Sequence, residues 1–221
     1  MSRAILFDFN GVISNDEPVH CRAFLATLGE RGVRLTEQDY RERYLGLDDR
    51  DCFRKAWDEA GRAAPAPTEL AGLIARKNQL FETMITERPV LVEGAREFLA
   101  DAARRGYRIA VVSGALRREI DLVLRVSGLS NPFEFIISAE DVVRSKPDPA
   151  GYLMAMARFG VKPDQTMVLE DSLPGLAAAR AAGVLCTMLS PSHPADTLAA
   201  ADAVWPHFAG RTAADLPWNH G

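Results

Sequence analysis

The stretch from Ala4 to Ser14 constrains the fold of this chain more than any other. It reads Ala-Ile-Leu-Phe-Asp-Phe-Asn-Gly-Val-Ile-Ser, an apolar run that ends in Asp8 and is soon followed by Gly11. Short apolar runs bounded by turn residues are typical of buried strands in parallel sheets. Because open α/β sheets bind ligands at the carboxyl ends of their strands, the stretch predicts a strand that carries Asp8 to a functional edge. The alternative is an exposed carboxylate at a strand end, with no function.

Composition restricts the class of protein. The chain has 221 residues, of which 48% are hydrophobic and 25% are charged, so it can bury a sizeable core. Its net charge is −4, it has no block of Lys and Arg, and no apolar run approaches the roughly 20 residues of a membrane span. The first residues show no signal-peptide pattern, and Cys21, Cys52 and Cys186 lack zinc-site or disulfide-framework spacing. We expect a cytoplasmic monomer without nucleic-acid or membrane partners.

Residues 15–90 have the periodicity of helices rather than strands. The pattern predicts four helices, which we expect to form an inserted helical domain, with residues 1–14 and 91–221 as the core domain. Lys77 falls on the apolar stripe of the fourth helix. Two interpretations stay open for it: a lysine that extends to solvent from a helix edge, or a cation that faces a ligand.

Helices and strands alternate regularly from Leu91 onward. Strands are predicted at 107–112, 133–137, 166–169 and 184–189, with a weak strand at 203–205, a short helix near 195–201, and a loosely ordered tail from Gly210. This alternation indicates βαβ units. The fold class is therefore α/β: a Rossmann-like parallel sheet with helices on both faces, plus the inserted four-helix domain.

Each predicted strand of the main series ends in a polar group. These groups are Asp8, the pair Ser113-Gly114, Lys146 in the loop after the third strand, and the pair Glu170-Asp171. Taken singly, Ser-Gly is usually a turn and a loop lysine is usually solvated. Their ordered occurrence at successive strand ends favours a site for phosphoryl transfer, because a carboxylate that attacks a phosphate needs a divalent cation, a fixed lysine and neutral donors around it.

Each of these groups receives a role in this interpretation. Mg²⁺ suits an all-oxygen ligand set. The predicted metal ligands are Asp8, which is also the nucleophile, the backbone carbonyl of Asn10, Asp171, and Glu170 beside it. The predicted phosphate donors are Ser113, the N–H of Gly114 and the catalytic Lys146, since a helix N-terminus binds anions.

With these motifs in order, the chain resembles the haloacid dehalogenase superfamily over essentially its whole length. The motifs are Asp8-Phe-Asn-Gly-Val12, Ser113-Gly114, Lys146 within Ser-Lys-Pro-Asp-Pro, and Leu169-Glu-Asp-Ser172. Within the superfamily the chain is most similar to the β-phosphoglucomutase-like phosphatases and mutases, through the first motif, His20 on the first inserted helix and Arg76-Lys-Asn78 on the last. The resemblance implies that the helical insertion is a cap that covers the site and selects substrates.

Two departures from the family pattern concern function. Family phosphatases and mutases ordinarily have aspartate where this chain has Asn10, and an amide cannot shuttle a proton. His20 is one candidate to replace it, although a solvated or core histidine is the more ordinary interpretation. Mutase-like relatives grip a distal phosphate with an arginine where this chain has Asp49, followed by Arg50; this weakens the mutase interpretation. We count His20, Arg50 and Lys77 as candidate substrate contacts.

The expected function is Mg²⁺-dependent phosphoryl transfer through an aspartyl phosphate, namely hydrolysis of a small phosphorylated metabolite such as a sugar phosphate. Alternatives are a sugar-phosphate mutase and, because of Asn10, a non-catalytic protein that binds a phosphorylated metabolite. A two-component receiver domain is disfavoured because receivers are much shorter and carry the phosphorylated aspartate on a later strand. A dinucleotide-binding domain is disfavoured because Gly-x-Gly-x-x-Gly is absent after the first strand.

Overall fold

The chain folds into two compact units. The computed structural model describes residues 3–45, 47–88, 90–129, 132–189 and 198–218. One unit combines Met1–Asn15 with Val90–Gly221, and the other is Asp16–Pro89. None of the described helices is long and apolar enough to cross a membrane.

A parallel sheet forms the centre of the larger unit. Its described strands are β1 (Ala4–Phe7), β2 (Arg108–Val112), β3 (Phe135–Ile137), β4 (Thr166–Glu170), β5 (Leu185–Leu189) and β6 (Ala203–Trp205). They are arranged in the order β3-β2-β1-β4-β5-β6, and every pairing is parallel. Phe7 is in register with Val111 of β2 and with Leu169 of β4. The residues that follow these three strands therefore emerge together at the carboxyl edge, and the predicted α/β fold class is confirmed.

The smaller unit is helical in its described residues. Its helices are α1 (Glu17–Gly29), α2 (Glu37–Arg43), α3 (Asp49–Glu59) and α4 (Pro67–Glu87). Thr36 and Asp39 form a reciprocal capping box that satisfies two backbone N–H groups at the start of α2. The rings of Phe24 and Phe53 pack with their centroids 5.0 Å apart in the apolar core of this unit. Burial of these apolar faces, more than helix propensity, stabilises such short helices.

Helices cover both faces of the sheet. They are α5 (Ala95–Arg104), α6 (Arg117–Val126), α7 (Ala150–Phe159) and α8 (Leu173–Ala181). Successive strand residues point to opposite faces. Leu6 accordingly belongs to the apolar cluster formed with α7 and α8, whereas the Phe7 ring lies 6.2 Å from the ring of Phe98 on α5. Burial on both faces explains why the strand of the first motif is almost continuously apolar.

The described part of the C-terminal tail, residues 210–218, is packed rather than loosely ordered, so the prediction is wrong for these residues. Ala213 and Trp218 are buried, and the Trp218 ring stacks on Tyr107 at 5.6 Å. Asp101 on α5 accepts a hydrogen bond from the Ala213 N–H at 3.0 Å. The segment has no helix or strand periodicity, which is why its packing escapes a sequence pattern. Of the predicted helix near 195–201, residues 195–197 lie outside the described residues, and 198–200 form a turn.

Candidate active site

Three carboxyl groups meet at the carboxyl edge of β1 and β4. Asp8 directly follows β1, Glu170 is the last residue of β4, and Asp171 is the next residue. One carboxylate oxygen from each lies within 4.8 Å of the others. The parallel pairing of β1 with β4 produces this arrangement, because Phe7 and Leu169 are opposite each other. The sequence prediction that these two strand ends meet agrees with the structure.

Lys146 connects two of these carboxylates. Its Nζ donates to Asp8 Oδ1 at 2.7 Å and to Glu170 Oε1 at 2.5 Å. Burial by itself lowers the pKa of Lys146, but the negative charges of Asp8 and Glu170 outweigh burial and hold the pKa above its usual value. The lysine is therefore a fixed ammonium ion, as the sequence predicts for a phosphoryl-transfer site.

Glu170 is the most heavily hydrogen-bonded carboxylate of the site. Its side chain is fully buried. Oε1 accepts from Lys146 and from the Tyr152 hydroxyl, and Oε2 accepts from the Asp171 N–H, the Ser172 N–H and the Ser172 hydroxyl. A Cβ on Gly175 would lie 1.9 Å from the Glu170 carboxyl carbon, so only glycine lets α8 begin this close. Glu170 is among the predicted metal ligands, but this saturation favours a role in holding Lys146 and the following loop.

The carboxyl groups of Asp8 and Asp171 have strongly raised pKa values. Burial, together with the charges of Asp8 and Glu170, raises the pKa of Asp171 to about 8. Burial raises the pKa of Asp8 to about 6, with Lys146 opposing it and Glu170 adding to it. These shifts reflect carboxylates that repel each other in a partly desolvated site, which is the environment that a divalent cation relieves.

The turn after β1 brings Asp171 close to the backbone. Gly11 has φ +73°, and a Cβ there would lie 1.8 Å from Asp171 Oδ2. The Gly11 N–H donates to the Ser14 carbonyl at 2.7 Å, and Asn10 forms a bridge with Ser14. The side-chain oxygens of Asp8 and Asp171 and the Asn10 carbonyl are the donor types that Mg²⁺ prefers, so the residues present fit this metal.

Ser113 and Gly114 lie one strand away from Asp8. Ser113 follows β2 and is buried; its N–H donates to the Ile137 carbonyl, and its Oγ accepts from the Ala115 N–H at 3.1 Å. With its oxygen accepting, the hydroxyl proton of Ser113 can still be donated. Gly114 is exposed, and nothing lies within 4 Å of the position a Cβ would take. An oxyanion can therefore approach the Gly114 backbone without steric conflict.

Lys77 is buried and paired within the helical unit. Its side chain is 4% exposed, and Nζ lies 2.9 Å from Asp49 Oδ1 and 2.8 Å from His20 Nδ1. The interpretation that it extends to solvent from a helix edge is wrong, because Asp49 and His20 offer it partners inside the unit. Arg50, which is also a candidate substrate contact, is exposed on the first turn of α3.

His20 is neutral in this environment. It stacks on Phe81, with the ring centroids 4.1 Å apart. An ammonium group has no acceptor, so Nδ1 accepts from Lys77 and the ring proton resides on Nε2. Burial and the Lys77 charge lower the pKa of His20 to about 3. A histidine in this state is a poor proton donor at neutral pH, so it is a weak replacement for the acid/base group that Asn10 lacks.

Two residues of these clusters escape sequence reasoning. The sequence singles out Asp49 only because it stands where mutase-like relatives have an arginine. Tyr152 falls on the apolar stripe of α7, where a side chain is expected to pack rather than to donate a hydrogen bond. Both depend on contacts across long stretches of chain, 28 residues from Asp49 to Lys77 and 18 residues from Tyr152 to Glu170. No local pattern encodes them.

A family model completes the assignment of the fold and motifs. The model describes a haloacid dehalogenase-like hydrolase and matches residues 5–189, a span that contains every strand-end group of the site. The chain belongs to the haloacid dehalogenase-like hydrolases.

Similar proteins support this membership. Validoxylamine A 7'-phosphate phosphatase from Streptomyces hygroscopicus subsp. limoneus is 30% identical over 216 residues, covering 94% of this chain and 99% of that protein. A crystal structure of a CbbY variant from Rhodobacter sphaeroides, with one aspartate replaced by asparagine and xylulose-(1,5)bisphosphate bound, is 29% identical, with a TM-score of 0.82 over 98% of this chain and 99% of that one. A putative β-phosphoglucomutase from Thermotoga maritima is 25% identical, with a TM-score of 0.80 over 93% and 94% of the two chains.

The resemblance predicted from the motifs is thereby confirmed for the family. The similarity to a putative β-phosphoglucomutase and to CbbY agrees with the predicted position among the β-phosphoglucomutase-like members. Phosphatases and a mutase-like protein both occur among these relatives. The family alone therefore leaves the reaction to be argued from the residues of the site.

Proposed function

We propose that this hydrolase removes phosphate from a small phosphorylated metabolite such as a sugar phosphate. The observation that carries the proposal is the contact between Asp8 and Lys146, beside the Asp171 carboxyl, at the edge of the sheet. The similarity to a validoxylamine A 7'-phosphate phosphatase and to CbbY bound to xylulose-(1,5)bisphosphate supports the substrate class.

Asp8 is the proposed nucleophile. With a pKa of about 6 it is ionised at neutral pH, as an attacking carboxylate must be. One of its oxygens forms a bond to phosphorus while the ester P–O bond breaks, and the leaving oxygen takes up a proton. A water molecule then attacks the same phosphorus, releases phosphate and restores the Asp8 carboxylate.

The remaining groups stabilise charge during this transfer. Lys146, the Ser113 hydroxyl and the Gly114 N–H are the proposed donors to the phosphate oxygens. Asp8, Asp171 and the Asn10 carbonyl would hold Mg²⁺, which supplies positive charge against the phosphate oxygens when bound. The Lys146 ammonium and the bound cation would thus offset the negative charges that otherwise repel the carboxylate from the phosphate, and the neutral donors would hold the phosphate oxygens.

Asn10 limits which esters react quickly. Its amide cannot donate a proton to an alkoxide, and the low pKa of His20 gives that residue little capacity to do so. Esters with an acidic leaving group, such as p-nitrophenyl phosphate, need no such proton. We therefore propose a phosphatase that is slower on sugar phosphates than a variant with aspartate at this position.

A second candidate function is binding of a phosphorylated metabolite without turnover. Asn10 favours it, and the relative CbbY with an aspartate replaced by asparagine was crystallised with a sugar bisphosphate bound. The mutase alternative has less support, because Asp49 pairs with Lys77 and does not provide the cation that would grip a distal phosphate.

The resemblance also supports two broader proposals. The helical unit is the proposed substrate-selecting cap, because the insertion between the first two motifs resembles the small helical cap of the β-phosphoglucomutase-like proteins. A cytoplasmic location is supported by three free, buried cysteine thiols, which a reducing compartment preserves.

A phosphatase screen tests the proposal. Sugar phosphates, polyol phosphates and p-nitrophenyl phosphate are offered with Mg²⁺ and, separately, with EDTA, to the parent protein and to Asp8→Asn. We expect turnover only in the parent and only with Mg²⁺. Tight binding of a sugar phosphate without any turnover would favour the binding protein, and equal activity of Asp8→Asn would refute the proposed nucleophile.

A further inference from the structure

Tyr152 places a polar group at the base of the site. It lies on α7, which follows the Lys146 loop, and its side chain is 1% exposed. Its hydroxyl donates to Glu170 Oε1 at 2.8 Å, and the Lys146 Nζ lies 5.3 Å from the centroid of its ring. Tyr152 therefore contacts both members of the Lys146–Glu170 pair while remaining away from solvent.

The two oxygens of Glu170 are held by different parts of the chain. Oε2 is held by the backbone and the hydroxyl at the start of the next loop, through Asp171 and Ser172. Oε1 faces the site and is shared by Lys146 and Tyr152. Among the described residues, two side chains donate to Oε1: the charged Lys146 and the neutral Tyr152.

Sharing this oxygen has a consequence for Lys146. A buried carboxylate oxygen with a lysine as its single partner draws the ammonium strongly towards itself. The Tyr152 hydroxyl donates a second hydrogen bond to the same oxygen, which weakens the attraction of that oxygen for the ammonium. The face of the Tyr152 ring stabilises the ammonium from another side. Under these conditions Lys146 also reaches Asp8 Oδ1, at 2.7 Å.

We propose that Tyr152 is a positioning residue for phosphoryl transfer, which acts through Glu170 to hold the Lys146 ammonium beside Asp8. The inference rests on the proposed phosphatase function. It differs from a purely structural role, in which a buried tyrosine hydroxyl merely needs a partner. The neighbouring buried residues of α7, such as Met156 and Phe159, fill space in the apolar cluster without an oxygen to place.

The variant Tyr152→Phe tests this role. It keeps the ring and its volume and removes only the hydroxyl. Because a hydrogen bond to a charged group is lost, we expect kcat for p-nitrophenyl phosphate with Mg²⁺ to fall by about tenfold. KM should rise by a smaller factor than kcat falls, since a misplaced Lys146 weakens the contact with the bound ester but matters more in the transition state.

Tyr107→Phe is the matched control. Tyr107 is a tyrosine of the same unit that lies outside the site; it is partly buried, and it stacks on Trp218. It should leave kcat unchanged. A Tyr152→Phe protein with the parent kcat and a lower thermal midpoint, or one that fails to fold, has lost a structural contact only; either result overturns the proposal.

A double-mutant cycle with Lys146→Met shows whether Tyr152 acts through the lysine. Calorimetry with inorganic phosphate and Mg²⁺ measures this cycle even in variants without turnover. We expect Tyr152→Phe to weaken phosphate binding in the parent and to have no further effect in Lys146→Met. Additive effects would overturn the proposal. A parent that binds phosphate but turns over no ester refutes the proposed function, whereas this cycle still tests Tyr152.

Discussion

The stability of the metal-free protein should fall as the pH rises through neutrality, because of Asp171. Burial and the charges of Asp8 and Glu170 raise its pKa from 3.8 to about 8. The folded protein therefore keeps a proton on Asp171 that the unfolded chain releases. Since the folded state binds more protons over this range, the free energy of unfolding decreases with increasing pH.

The size of the effect follows from the pKa. Each pH unit below the folded-state pKa costs about 1.4 kcal/mol, so Asp171 removes about 2 kcal/mol between about pH 6.5 and pH 8. For a chain of this size the thermal midpoint should fall by about 4–8 °C. The predicted decline starts near pH 6.5 because of His20, whose pKa is lowered from 6.5 to about 3. Below pH 6.5 the unfolded chain protonates this histidine and the folded protein does not, so His20 makes the free energy of unfolding increase with pH there.

Thermal unfolding in EDTA and in saturating Mg²⁺, across this pH range, measures the decline in stability directly. A bound cation favours the ionised carboxylates, so Mg²⁺ should raise the midpoint most at about pH 8 and abolish the decline. Asp171→Asn should remove both the decline and the response to Mg²⁺, whereas Asp164→Asn, at an exposed position, should keep both. A metal-free parent with the same midpoint across the range, or an undiminished decline in Asp171→Asn, would refute this account of the site.

Two further predictions concern the proton and the helical unit. Asn10→Asp supplies a general acid and should raise kcat on sugar phosphates by about 10²–10⁴-fold. The gain on p-nitrophenyl phosphate should be smaller, because its leaving group needs no proton. Equal gains on the two substrates would contradict this role for residue 10. Lys77→Ala leaves the partly buried carboxylate of Asp49 without its cation and should cost about 1–3 kcal/mol in urea unfolding. Arg76→Ala breaks an exposed pair with Glu30 and an exposed hydrogen bond to Gln79, and it should cost less than about 1 kcal/mol. Similar losses in the two variants would contradict the buried pairing of Lys77.

The strand ends were the predictable part of the site. Apolar runs that end in Asp8 and Glu170 specify buried strands, and parallel pairing then brings both carboxylates to one edge. The βαβ alternation extends the same reasoning to Ser113 and Lys146. In each case the signal is local, and the general rule for parallel sheets supplies the rest.

Side-chain pairing was the part that the sequence could not predict. Glu170 and Asp171 are adjacent carboxylates, and only the fold shows that one is saturated with donors while the other keeps a raised pKa. Lys77 looks like an edge lysine until the packing of α1, α3 and α4 supplies His20 and Asp49. These outcomes depend on distances between helices, which periodicity does not specify.

The most direct test of the account is to detect the phosphoryl group on Asp8. The parent is mixed with p-nitrophenyl phosphate and Mg²⁺, quenched in acid and examined by intact-protein and peptide mass spectrometry. Because Asn10 provides no base for the second step, we expect a phosphoenzyme to accumulate, with the group on the peptide that contains Asp8, and none in Asp8→Asn. Phosphorylation at another residue, or ester hydrolysis by Asp8→Asn at the parent rate, would contradict the central claim.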